Sequence, residues 1–283
     1  MTTALFAIAG AFFVGSMVVL DRMALKVVTT VPALPERSVP DLGVPHEDFT
    51  IPSGDHQLAA WLLRPGRQHP DEPLLLLAHG WGASYGTVLQ LAEPLAELGH
   101  DVLLFDVRGH GRNRATDFVT IRDFRDDVVA VLRYAAERFP HRKLVLVGHS
   151  LGGAAGVVAA ADGAPLDGLV LIASPSSVLM VTAEYLIDHG MPGNLMVRLF
   201  RPFWWRRIGG TFGPFTPSER IGELDLPILM IQPEHDHRVR RDHADRLAAA
   251  GGLDYHLIEG REHTDVLAAP ETLRLVEEFL AEV

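Results

Sequence analysis

Short apolar runs alternate with longer segments of helical spacing along most of the chain. The runs at 74–78, 102–105, 144–147, 169–172 and 228–231 are four or five residues long and uncharged. An unbroken apolar run of that length marks a strand buried on both faces. Residues 85–98, 121–138, 151–161, 239–250 and 264–282 read as helices, and 255–258 as a further strand. Residues 49–51 and 58–63 form an expected antiparallel pair joined through Ser53-Gly54-Asp55. Strand–helix alternation predicts a mostly parallel sheet covered by helices on both faces. No internal repeat is present.

Two stretches break the rhythm. Residues 174–224 hold no clean strand, only helical pieces at 178–187 and 195–200, with Phe203, Trp204, Trp205, Phe212 and Phe215. An insertion there, after the sixth core strand, lies over the carboxyl edge where parallel sheets bind ligands. It is expected to be a small helical cap, or else a loop that packs its aromatics onto the sheet edge. The second stretch, residues 4–20, is apolar apart from Gly and Ser. A helix of about 17–20 residues spans roughly 26–30 Å, the short end of a membrane crossing. A membrane anchor over 1–25 is the leading expectation, ahead of a cleaved signal peptide or a core helix. Arg22 and Lys26 follow the run and no basic residue precedes it, which would place the remaining domain in the cytoplasm. Pro32, Pro35, Pro40 and Pro45 make 26–46 an extended tether, leaving 47–283 as the globular domain.

At 283 residues, 48% of them apolar, the chain can bury the core of one large domain. The net charge of −11 argues against a nucleic-acid partner, which needs a clustered basic face. The absence of cysteine excludes disulfides, thiolate catalysis and Cys-ligated zinc.

The most informative chemistry lies at Gly148-His149-Ser150-Leu151-Gly152, between the strand at 144–147 and the helix at 151–161. A serine on a tight strand-to-helix turn is held strained, with its hydroxyl above the sheet. The helix N-terminus then aims the Leu151 N–H at a developing oxyanion. From about Glu47 to the end, the chain resembles the α/β-hydrolase superfamily, particularly its esterase, lipase and serine-aminopeptidase-like members with a short cap. His79-Gly80-Trp81-Gly82 resembles that family's oxyanion loop, which implies Trp81 as the second oxyanion donor. Asp106-Val107-Arg108-Gly109-His110-Gly111 resembles its D-x-R-G-x-G loop, although Arg112-Asn113 stand where a serine often follows.

The family's chain order is nucleophile, acid, base. After the strand at 228–231, Asp236 fits the acid; Glu234 is the runner-up, and Asp225 precedes the strand. Of 14 histidines, His263 has the position of the base, on a loop after 255–258. His235, Asp236 and His237 lack the spacing of a metal site.

The expected chemistry is hydrolysis of an ester-like bond through Ser150, His263 and Asp236 by way of an acyl-enzyme, with no cofactor. The partners are a small ester or acyl substrate, apolar or lipid-like if anchor and cap are as expected, and a membrane. Amide, peptide and thioester substrates, a cofactor-free peroxidase and a catalytically silent binding protein remain open, because fold does not determine function.

Overall fold

The computed structural model describes residues 2–30, 32, 34–65 and 72–283; Met1, Val31 and Ala33, which fall in the expected anchor and tether, lie outside the described residues. Each apolar run becomes a strand: β1 (His46–Ser53), β2 (His56–Leu63), β3 (Leu74–Ala78), β4 (Val102–Phe105), β5 (Leu144–His149), β6 (Gly168–Ile172), β7 (Ile228–Pro233) and β8 (His256–Ile258). They form one sheet in the order β1-β2-β4-β3-β5-β6-β7-β8. Pairs β1–β2 and β2–β4 are antiparallel, and all later pairs are parallel. Parallel neighbours need crossovers, and the crossovers supply the covering helices.

The helices are α1 (Thr2–Val27), α2 (Tyr85–Leu98), α3 (Ile121–Arg138), α4 (Leu151–Ala161), α5 (Val178–Asp188), α6 (Gly193–Ile208), α7 (Pro217–Arg220), α8 (Arg241–Gly251) and α9 (Pro270–Leu280). Alternate strand residues feed two apolar layers. Leu76, Leu103 and Leu146 pack with Phe124, Val128 and Leu132 of α3 and with α4. Leu77, Leu104 and Val147 pack with Leu91 and Leu95 of α2 and with Val276 and Phe279 of α9. Helix α3 starts on a capping box: Asp123 Oδ2 accepts from the Thr120 N–H and hydroxyl at 2.8 and 2.7 Å.

The continuous helix expected over 264–282 is broken. A 3₁₀ turn, Asp265–Ala268, is followed by α9, which begins at Pro270. Proline has no N–H to donate and is preorganised for the first helical position, so it starts a helix there. The piece expected at 195–200 is longer and runs through Pro202 as α6.

The cap consists of α5, α6, α7 and two 3₁₀ turns, Gly213–Phe215 and Ile221–Glu223, between β6 and β7. Phe200, Trp204 and Phe212 of the cap are buried in the same apolar cluster as α3 and α4.

The expected membrane anchor is overturned. Among the described residues, no helix is long and apolar enough to cross a membrane. The C-terminal half of α1 is instead committed to the protein. Ala24 is fully buried, and Leu20 and Val27 pack against the core. The Trp204 indole N–H donates to the Ala24 carbonyl at 2.9 Å, and Arg207 pairs with Asp21 at 2.8 Å. The expected membrane location, and the orientation drawn from Arg22 and Lys26, fall with the anchor. The proline-rich segment follows the domain surface: Thr30 Oγ1 donates to the Gly109 carbonyl at 2.8 Å, Arg37 forks onto Glu93 at 2.8 and 2.9 Å, and Val39 is buried.

Candidate active site

Ser150 follows β5 directly and precedes the first residue of α4, with φ 54° and ψ −124°. A left-handed φ on a residue with a side chain is strained by about 1–3 kcal/mol and persists only where its surroundings dictate it. They do here. The Ser150 N–H donates to the Ile172 carbonyl of β6 at 2.9 Å. A Cβ on Gly148 would run into the Gly153 backbone, and one on Gly152 into the Ala78 carbonyl at the end of β3. The motif's glycines thus let strand, turn and helix close on one another. Ser150 is half-buried, while its neighbours His149 and Leu151 are buried.

The loop after β3 comes against the serine: a Cβ on Gly80 would lie 2.7 Å from the Ser150 Cβ and 3.1 Å from its Oγ. Trp81 follows Gly80, and Leu151 follows Ser150. Among the described residues, neither of their N–H groups donates to another backbone or side-chain acceptor. His79 sets this loop. Its Nε2 accepts from the Val107 N–H at 3.0 Å, and its Nδ1–H donates to the Gly80 carbonyl at 2.8 Å. Both bonds need a neutral ring, and burial pushes the His79 pKa down to about 4. Asp106 supports the same corner, its Oδ1 accepting from the Tyr85 N–H at 2.7 Å and its Oδ2 from the Arg112 N–H at 2.8 Å.

Asp236 and His263 meet. His263 Nδ1 lies 2.7 Å from Asp236 Oδ2, both side chains buried. Asp236 Oδ1 accepts from the Arg238 and Val239 N–H groups, each at 2.8 Å. A carboxylate accepts, so Nδ1 carries the proton and Nε2 keeps its lone pair. Among the described residues, Nε2 has no hydrogen-bond partner, and neither does Ser150 Oγ. The His263 loop is fastened to strand β5 through His149: its Nε2 lies 2.8 Å from the His263 carbonyl, and the two rings are 4.7 Å apart.

Glu234 has a different task. It is exposed, and its Oε2 accepts from the Gly260 N–H at 2.9 Å. Asp225 is exposed ahead of β7. His235 and His237 are exposed, and among the described residues no group of His, Asp or Glu is arranged to hold a metal ion.

Sequence reading missed a second serine–histidine–carboxylate array. Ser176 Oγ lies 2.9 Å from His243 Nδ1, and His243 Nε2 lies 3.0 Å from Glu184 Oε2. The Ser176 N–H donates to the same Nδ1 at 3.1 Å, so that nitrogen is an acceptor and Nε2–H faces the carboxylate. Ser176 and His243 are fully buried and Ser176 has no strained backbone. The array ties α8 to the start of the cap. Its members are 59 and 67 residues apart, with no local motif to reveal them.

Known proteins fit this picture. Residues 69–199 match the family described as "Serine aminopeptidase, S33". The chain is 30% identical over 137 residues to monoglyceride lipase of Rattus norvegicus, covering 44% of this chain and 45% of that protein. It is 34% identical over 100 residues to lysophospholipase L2 of Escherichia coli K12, covering 31% and 27%. These matches thus span less than half of either relative's length. An esterase structure from Pyrococcus furiosus superposes with a TM-score of 0.71 at 18% identity, covering 90% of this chain and 97% of that one. With its mostly parallel sheet of described strands flanked by helices and that superposition, the chain has the α/β-hydrolase fold.

Proposed function

We propose that the chain is a serine hydrolase that cleaves an ester-like bond through an acyl-enzyme. The observation that carries this reading is the 2.7 Å contact between His263 Nδ1 and Asp236 Oδ2, which leaves Nε2 as a base on the loop fastened beside Ser150. His263 Nε2 takes the Ser150 proton as Oγ bonds to the substrate carbonyl carbon. The carbonyl oxygen becomes an anion that the N–H groups of Leu151 and Trp81 receive. The imidazolium gives its proton to the leaving alkoxide as the ester C–O bond breaks. Water then gives a proton to Nε2 and attacks the acyl carbon, and Ser150 departs with that proton. Asp236 holds the imidazole tautomer and stabilises its cation. No step needs a cofactor.

The substrate we assign is an apolar acyl ester, by likeness to relatives named for monoglyceride and lysophospholipid hydrolysis. Of the cap aromatics, Trp204 and Phe212 are packed inside, Phe203 and Phe215 are half-buried, and Trp205 is exposed.

Fluorophosphonate labelling tests the reading. The wild type is expected to be labelled at Ser150, and Ser150→Ala to lose the label. A folded wild type that resists labelling would sink the enzymatic reading. Preference for acetyl over medium-chain acyl esters would sink the substrate class alone.

A further inference from the structure

We infer that His149, immediately before the proposed nucleophile, is a positioning residue whose Nε2–H holds the backbone of the base. This rests on the triad reading above. His149 is the last residue of β5 and is buried. The atom 2.8 Å from its Nε2 is the His263 carbonyl oxygen, which can only accept, so Nε2 carries the ring proton. Nδ1 is then a bare acceptor, and it is buried with no partner among the described residues. A phenylalanine would fill a similar space without a stranded nitrogen, and buried polar groups without partners are unfavourable. Packing therefore does not explain a histidine here, whereas the contact across the sheet edge does.

The geometry explains why the position matters. Ser150 sits on a rigid strand-to-helix corner, but His263 sits on a loop beyond the three-residue strand β8. Among the described residues, strand β8 pairs only with β7, itself two strands away from β5. Errors of position would accumulate along that path. The His149 bond is a direct tie from the residue before the nucleophile to the residue that bears the base. Loss of about an ångström of register in a reacting pair costs up to 10²-fold.

The ring's neutrality belongs to the same device. Its centroid is 4.7 Å from that of His263, which must become cationic during turnover. Burial pushes the His149 pKa down to about 3, so it adds no competing positive charge at neutral pH. The charged and titratable neighbours that face it are His263, His79 and Arg238.

Two substitutions separate donor from shape. His149→Gln keeps a neutral N–H at the place of Nε2, whereas His149→Phe and His149→Leu keep apolar bulk without a donor. Rates of fluorophosphonate labelling and of turnover of a soluble acyl ester are measured on each, with thermal unfolding alongside. His149→Gln is expected within about threefold of wild type. The donor-free variants are expected to label and turn over about tenfold or more slowly, with KM within about twofold. If one donor-free variant does not fold, the other is compared. Donor-free rates within threefold of wild type would overturn the inference, as would His149→Gln as slow as the donor-free pair. Labelling that persists in Ser150→Ala would instead overturn the triad reading beneath it.

Discussion

At the scale of single residues, the site concentrates conformational cost at one position. Ser150 has φ 54°, and the only other described non-glycine residue with a left-handed φ is Ala173, φ 50°, at the end of β6. The expected stability change on Ser150→Gly is the difference of two terms. Relief of the strained backbone is worth about 1–3 kcal/mol, and the extra freedom of glycine in the unfolded chain takes back about 0.5–1 kcal/mol. The variant should therefore be more stable by about 1 kcal/mol in urea unfolding, while losing all labelling. A destabilised Ser150→Gly would show that the conformation is not strained. The sequence singles out Ser150, Asp236 and His263 as candidates because each follows a recognisable apolar strand, and Asp236 and His263 do meet. The contacts of His149 and of Ser176 with His243 were not legible there, because nothing local announces partners 114 and 67 residues away.

At the scale of elements, most boundaries followed from apolar spacing, and the misses have local causes. Pro270 split one expected helix, and the packing of α6 on α1 carried another past Pro202. The larger miss was α1. Apolar spacing alone did not show that its C-terminal end docks on the domain, where the Trp204 indole of α6 meets the Ala24 carbonyl, while Phe12 and Phe13 stay exposed. That contact is expected to hold α1 in place. Trp204→Ala removes a large buried side chain and a hydrogen bond to the helix backbone, and should cost about 3–5 kcal/mol in urea unfolding. A loss below about 1 kcal/mol would mean that α1 is hardly coupled to the domain.

At the scale of the whole molecule, burial of neutral histidines makes stability depend on pH. His79 and His110 are pushed down to about 4 and His149 to about 3, all chiefly by burial, from an ordinary 6.5. The unfolded chain takes up these protons near pH 6.5, and the folded chain only near pH 3–4. Their contribution to stability is therefore complete above pH 6.5 and is lost as pH falls toward 4, at about 1.4 kcal/mol per histidine per pH unit. Burial raises the Asp106 pKa, an opposite effect that begins only as pH falls toward that raised value and partly offsets the loss. The melting temperature is expected to be about 10 °C lower at pH 5 than at pH 7. A flat profile over that range would refute the burial of neutral rings, and His149→Gln should recover about a third of the drop.

The tie between His149 and the loop of His263 also fixes when the protein becomes competent. Strands β5 and β6 are joined by α4 alone, and contacts that close a short stretch of chain cost the least loop-closure entropy. The partner of His149 arrives only after the cap, β7 and β8 have been made and docked. A chain emerging from synthesis would thus shape the corner at Ser150 before the loop of His263 has docked beside it. On the proposed mechanism, the order of folding alone would keep the base away from the serine in every form that lacks the docked loop.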